Sequence, residues 1–152
     1  MKISTGFDIS ASALTANRLR MDVISSNIAN AETTRGSIVN GEYVPYKRKM
    51  VVVDSNQPDF ASLLNNSMSA TEQTNQLKGI TVSKIVEDSS PTKLVYNPSH
   101  PDANEDGYVN MPNVDQAKEM IDMIAAYRAY EANVTALNAS KSMFQKALTI
   151  GK

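Results

Sequence analysis

Apolar residues recur through residues 113–151 at Met123, Tyr127, Tyr130, Val134, Leu137, Phe144 and Leu148, a four-then-three spacing broken only where Lys141 holds the seam. That spacing predicts one stripe of a long α-helix. Met120, Ile121, Ile124, Ala125, Ala129, Ala132 and Ala136 form a second stripe beside the first, so the apolar surface is wider than one helical neighbour covers. Asn113 after Pro112, with Gln116 three residues on as in a capping box, predicts the start of this helix, and Gly151 its end. At about 1.5 Å per residue it would extend roughly 55 Å. A compact domain of this chain length is about 30 Å across, so the helix is expected to protrude and to need cover from outside the chain.

Residues 5–30 carry a second helical pattern. Phe7, Leu14, Met21 and Ile28 stand seven apart, with Ala11, Ala13, Val23 and Ile24 alongside. Thr5 with Asp8 marks the start; Ser25, Ser26, Asn27 and Asn30 crowd the last turns, and Gly36 breaks the pattern. Between the helices the signal becomes β-like. Residues 43–54 are predicted as one strand, with Pro45 at its edge or beginning; residues 79–87 form a second, and residues 93–96 a short third. Residues 55–78 are rich in Ser, Asn, Gln and Thr and read as a flexible polar loop, with a helical turn around 60–65. The predicted fold is therefore α+β: long N- and C-terminal helices pairing as a coiled-coil-like hairpin, with a small β-rich middle segment. Its parts are residues 1–36 (first helix and turn), 37–112 (β-rich middle) and 113–152 (second helix).

Charge changes this picture little. Fifteen Lys plus Arg against sixteen Asp plus Glu leave a net charge of -1 without a strong block of either sign, which points away from nucleic acid and from anionic membranes as partners. The one basic run, Lys47-Arg48-Lys49, reads as a charged strand end or edge. The absence of Cys removes disulfides, thiolate metal sites and Cys nucleophiles from consideration. The first fourteen residues carry one Lys, an Asp at position 8 and no unbroken apolar core, so they do not read as a cleavable secretory signal. No stretch reaches the roughly 18 consecutive apolar residues of a membrane span.

Candidate chemistry is sparse. Asp102, Asn104, Asp106 and Gly107 resemble the opening of a calcium-binding EF-hand loop, but its twelfth position would be Asn113, which cannot supply the closing bidentate carboxylate. A tight polar turn around Gly107 is the better reading. His100, the sole histidine, lies between Pro98 and Pro101 with no second ligand at helical spacing, and reads as a turn residue. Nucleophile-elbow, phosphate-loop and zinc-helix motifs are missing from the sequence. No enzyme activity, metal or cofactor is expected. Asn27, Asn30, Asn133 and Asn138 sit beside apolar helix positions. Each could fix register between helices as a buried amide, or serve as a helix-end cap or exposed polar residue.

Four motifs now carry a resemblance. Asn27-Ile28-Ala29-Asn30-Ala31-Glu32-Thr33-Thr34, after an amphipathic helix, resembles the N-terminal signature of bacterial flagellar rod, hook and hook-associated axial proteins, and Tyr127-Arg128-Ala129-Tyr130-Glu131-Ala132-Asn133 their C-terminal counterpart. Lys93-Leu94-Val95-Tyr96-Asn97-Pro98-Ser99-His100-Pro101 with Asp106-Gly107-Tyr108-Val109, and Met111-Pro112-Asn113-Val114-Asp115, resemble the C-type subunits of the proximal rod. The resemblance spans nearly the whole chain, with residues 55–78 longer and more polar than such subunits usually need. It implies a structural subunit exported without a cleavable signal through the flagellum's own type III apparatus. It also implies a helical tube across the periplasm whose terminal helices line the inside. The implied neighbours are other rod proteins, the MS-ring and export-gate base, and the distal rod.

The residue pattern reaches compatible mechanics by its own route. An apolar surplus that is not self-complementary makes a heterologous contact, and repetition of that contact with a rotation and a rise gives an open helical array. The expected assembly residues are Leu14, Met21, Asn27, Ile28, Asn30, Ile124, Tyr130, Asn133, Val134, Leu137 and Phe144. The alternatives are a calcium-binding module built on Asp102 to Gly107 and a cytosolic helical adaptor that uses the same stripes in a closed dimer.

Overall fold

The computed structural model describes residues 3–39, 41–55 and 79–150. Two long helices, α1 (Ile3–Ala29) and α2 (Gln116–Ile150), enclose in sequence six short strands: β1 (Ser37–Val39), β2 (Glu42–Val44), β3 (Lys49–Ser55), β4 (Ile80–Glu87), β5 (Lys93–Tyr96) and β6 (Tyr108–Met111). The strands make three two-stranded sheets, β1-β2, β3-β4 and β5-β6. The α+β organisation is the one predicted, and the two terminal helices pack together. Apart from Ser55, which ends β3, the polar segment 55–78 lies outside the described residues, as does Gly151.

The chain divides into two compact units, each taking opposite ends of the two helices. One contains residues 19–52 and 84–127. Its apolar core is made of Val23, Ile24, Ala31, Val109, Val114 and Ala126. Here β1 and β2 form an antiparallel hairpin with Val39 opposite Glu42, turned through Gly41, whose φ of +89° is open to glycine at little steric cost. Strands β5 and β6 pair antiparallel from Lys93 opposite Met111 to Tyr96 opposite Tyr108. The last two rings meet edge to face with centroids 5.3 Å apart, a favourable arrangement for aromatic quadrupoles. The turn between them is the polar one the sequence suggested: the Gly107 amide donates to the Asn104 carbonyl at 2.8 Å, and the Asn104 amide to the Tyr108 carbonyl at 2.9 Å.

The other unit contains residues 1–18, 53–83 and 128–152, and in its described part small residues stand at two close approaches. A side chain at Gly6 would stand 3.9 Å from the Ser140 hydroxyl, so α1 and α2 approach there across a glycine. Ser12 Oγ donates to the Ile9 carbonyl at 2.8 Å and accepts from the Ile80 amide at 3.2 Å, pinning the start of β4 to α1. Gly79 makes this possible, because a Cβ there would collide with the Ser12 side chain.

Three local expectations are corrected. The single strand over residues 43–54 is two strands, β2 and β3, separated by residues 45–48. Pro45 lacks the amide a continuous ladder needs, and the Tyr46 amide instead reaches back to the Thr33 carbonyl at 3.1 Å. Helix α2 starts three residues later than Asn113. Asp115 is its cap, with Oδ1 accepting from the amides of Ala117 and Lys118 at 3.0 and 3.3 Å, because Asn113 is engaged by Arg48 and Ser90. Finally, α2 buries its predicted stripe only in part: Met123, Tyr130, Val134 and Leu137 are half-buried, while Tyr127, Phe144 and Leu148 are exposed. Counting from Met123, the spacing predicts Tyr127 inward; the structure buries Ala126 and Glu119 and leaves Tyr127 exposed.

Candidate assembly surface and its polar anchor

The residues that set this surface begin with Asn27 in the last turn of α1, which is 1% exposed. Its amide is satisfied in all directions. Nδ2 donates to the Lys49 carbonyl at 2.9 Å and to Glu119 Oε2 at 3.0 Å; Oδ1 accepts from the Lys49 amide at 2.9 Å and from the Tyr46 hydroxyl at 3.0 Å. Asn27 therefore joins α1, the entry to β3 and the first turns of α2. Glu119 is equally buried at 1% exposure. Its second oxygen receives Arg48 through Nε at 2.7 Å and Nη2 at 2.6 Å, charge-assisted contacts that compensate part of the cost of removing a carboxylate from water. Arg48 is held in turn: its amide donates to Asn113 Oδ1 at 3.2 Å, and its guanidinium lies 3.9 Å from Asp88 and 3.8 Å from Asp122.

Two smaller polar clusters tie the loops of this unit. Asp102 accepts from the Thr34 hydroxyl at 2.8 Å and from Arg35 Nε and Nη2 at 2.8 and 2.6 Å. The Arg35 and Thr34 hydrogen bonds hold its carboxyl below the ordinary carboxylate range, and Asp102 raises Arg35 in return. A carboxylate so committed is not arranged as the leading ligand of a calcium loop. His100 Nδ1 accepts the Asp102 amide at 3.1 Å, which gives the sole histidine a place in the turn. Asp88 is lowered by the Ser90 hydroxyl and amide, at 2.6 and 2.9 Å. Among the described residues no His, Cys, Asp and Glu converge as a metal-binding group, and no described helix is long and apolar enough to cross a membrane.

With Glu119 and Ala126 turned inward, the opposite side of α2 is apolar and uncovered: Met120 is 58% exposed, Ile121 68%, Ile124 60% and Tyr127 55%. Positions 120, 124 and 127 follow the helical four-three spacing, so these side chains form one patch. Of the residues singled out from sequence, Ile124 lies in this patch. Phe144 is exposed with Met143 and Leu148 near the end of α2. Leu14, Met21, Ile28, Tyr130, Val134 and Leu137 are half-buried. The three asparagines among them separate by environment. Asn27 is buried in the anchor, whereas Asn30 bonds locally, Nδ2 to the Ser26 carbonyl at 2.8 Å and Oδ1 to Thr33. Asn133 donates to the Ala129 carbonyl one turn back at 2.8 Å. Sequence reasoning took Arg48 only as part of a charged strand end and missed Glu119 altogether. The available signal was Glu119 standing four and seven residues before Met123 and Ala126, a carboxylate in register with packed positions.

Comparison with known proteins agrees with this architecture. A family described as flagella basal body rod protein matches residues 7–35, and one described as flagellar basal body rod FlgEFG protein C-terminal matches residues 105–150. The chain is similar to the flagellar basal-body rod protein FlgC of Bacillus subtilis, with 58% identity over 145 residues and 95% of each chain covered. It is also similar to FlgC of Salmonella typhimurium, 42% identical over 146 residues and 96% of each chain. To FlgC of Borreliella burgdorferi it is 40% identical over 161 residues, covering 99% of this chain and 98% of the relative. The chain thus belongs to the FlgC family of flagellar basal-body rod proteins and has a structural role in the rod rather than an enzymatic one.

Proposed function

We propose that the chain enters the proximal rod by docking the outward face of α2 onto neighbouring subunits, and that repetition of this contact builds a helical tube that transmits torque and encloses the export channel. The observation that carries this reading is the uncovered patch of Met120, Ile121, Ile124 and Tyr127 beside a fully satisfied polar anchor. Completing the burial of these four half-exposed side chains is worth roughly 4–7 kcal/mol. Association costs about 4–15 kcal/mol in lost freedom. One such face holds a subunit weakly, so each copy needs several neighbours, as a tube provides.

The other assembly residues take part in the same array: Leu14, Met21, Ile28 and Asn30 on α1, and Tyr130, Asn133, Val134, Leu137 and Phe144 on α2. Asn27 contributes by shaping α1 from within. In this proposal residues 1–36 and 113–152 form the helical part and residues 37–112 the β-rich arm. The neighbours are other rod proteins, the MS-ring and export-gate base, and the distal rod. The subunit travels without a cleavable signal to a rod that spans the periplasm. The test is a strain carrying Ile124→Glu in an otherwise native chain, followed by cryo-electron microscopy of isolated basal bodies. Exported subunit without an assembled proximal rod is expected; intact rods with normal motility would overturn the proposal.

A further inference from the structure

In its first turns α2 is not phased to bury its largest apolar side chains, although Met123 is half-buried. Burial of large apolar surface would turn Tyr127 inward beside Met123, yet the structure turns in Ala126 and the charged Glu119. On a helix that turns about 100° per residue, placing Tyr127 where Ala126 now packs would turn the face by up to about 100°. Burial of the largest apolar side chains does not by itself account for this rotation. Among the described residues, the contacts of the required kind at Glu119 are those of the anchor: Arg48 on one oxygen and Asn27 on the other.

We propose that Asn27, Arg48 and Glu119 form a rotational lock that fixes which face of α2 turns outward, so that these buried residues position Met120, Ile121, Ile124 and Tyr127 without touching a neighbour. The geometry gives the lock its stiffness. Asn27 is clamped to both main-chain groups of Lys49, and Arg48 is tied through its own amide to Asn113. Neither can follow a turning helix. Rotating α2 toward its apolar phase would draw Glu119 off both partners and leave a buried carboxylate unmatched. Buried ionic groups are weak sources of stability but effective sources of register. The consequence for assembly rests on the outward face being the docking surface; the lock itself does not.

The test compares the native full chain in solution with the triple variant Asn27→Leu, Arg48→Met, Glu119→Met, which replaces the anchor with apolar side chains of similar size. Hydroxyl-radical oxidation read by mass spectrometry reports the exposure of Tyr127 and Met120, with Tyr43 in the β1-β2 hairpin as internal reference. The expected result is retained helical circular dichroism with Tyr127 and Met120 oxidation falling at least threefold relative to Tyr43. Unchanged oxidation in a helical triple variant overturns the lock. Should the triple variant lose its helical signal, Glu119→Gln decides: it keeps the side-chain volume and removes the charge, and about a twofold fall at Tyr127 is expected. A native oxidation rate in Glu119→Gln would then overturn the inference. The Ile124→Glu strain bears on docking alone, so failure of either idea is recognised separately.

Discussion

Asn27 Oδ1 and Nδ2 pair with the amide and carbonyl of Lys49, each at 2.9 Å, so a helix side chain meets strand residue 49 as a neighbouring strand would. Removing the amide strands both main-chain groups of Lys49 together with Glu119 Oε2 and the Tyr46 hydroxyl. Asn27→Ala should therefore cost about 2–4 kcal/mol in urea denaturation. Asn30→Ala loses only local capping contacts and should cost about 1 kcal/mol or less. Equal effects at the two positions would show that Asn27 is not the joint between the elements.

Gly36 is expected to be intolerant of any side chain. A Cβ there would lie 2.7 Å from the Tyr46 nitrogen and 2.8 Å from its Cα, and these are backbone atoms that cannot swing aside. The hydrogen bonds from Gly36 N to the Val44 carbonyl and from Tyr46 N to the Thr33 carbonyl would have to lengthen together. Gly36→Ala should destabilise by about 1–3 kcal/mol and loosen the β1-β2 hairpin in amide exchange. Gly41 has open space around it, so Gly41→Ala should cost only the left-handed conformation, about 1–2 kcal/mol.

Acid should weaken the tie between Asp102 and Arg35. The folded carboxyl titrates below its ordinary value of 3.8, through the hydrogen bonds of Arg35 and Thr34. A depressed folded pKa contributes stability that is complete above the unfolded pKa and disappears as pH falls through the folded one. Asp102→Asn should accordingly be less stable than the native chain near neutral pH, and the gap should close in strong acid. Denaturation curves at neutral pH and at about pH 2 measure this directly; a gap independent of pH would mean the ion pair is not responsible.

The two sides of α2 should respond oppositely to substitution. Ala126 is 1% exposed, so Ala126→Leu overpacks a closed contact and should cost about 1–3 kcal/mol in the isolated chain. Ile121→Glu changes an exposed position and should leave chain stability within about 0.5 kcal/mol, while rod assembly in cells is lost. Thermal unfolding and electron microscopy of basal bodies together separate the two effects.

Much of this architecture is legible in the order of residues. The two helices, the strands 79–87 and 93–96 and the Gly107 turn all follow from local periodicity and turn chemistry, which act over a few residues. The pairing of β5 needs β6, whose four residues Tyr108–Met111 are too few to show a period. The hairpin at residues 37–44 has its signal in Asn40-Gly41 following Ile38-Val39, but strands of three residues each are too short for alternation to mark them. The phase of α2 is only partly given by periodicity, which places Met123, Tyr130, Val134 and Leu137 on the half-buried side but not Glu119 and Ala126. It depends on Arg48 meeting Glu119 across 71 positions of sequence, and a hydrophobic pattern registers Glu119 only as polar.

Among the described residues the buried hydrophobic side chains are mostly small: Ala16, Ala31 and Ala126, the valines 23, 109 and 114, and Ile24. Melting such an interior hydrates little new hydrocarbon, and the heat-capacity increment of unfolding tracks that hydration. Calorimetry of the free subunit should give an increment below the roughly 12–15 cal/mol/K per residue of ordinary domains. Its stability curve would then be shallow and flat, changing little with temperature until neighbours are added.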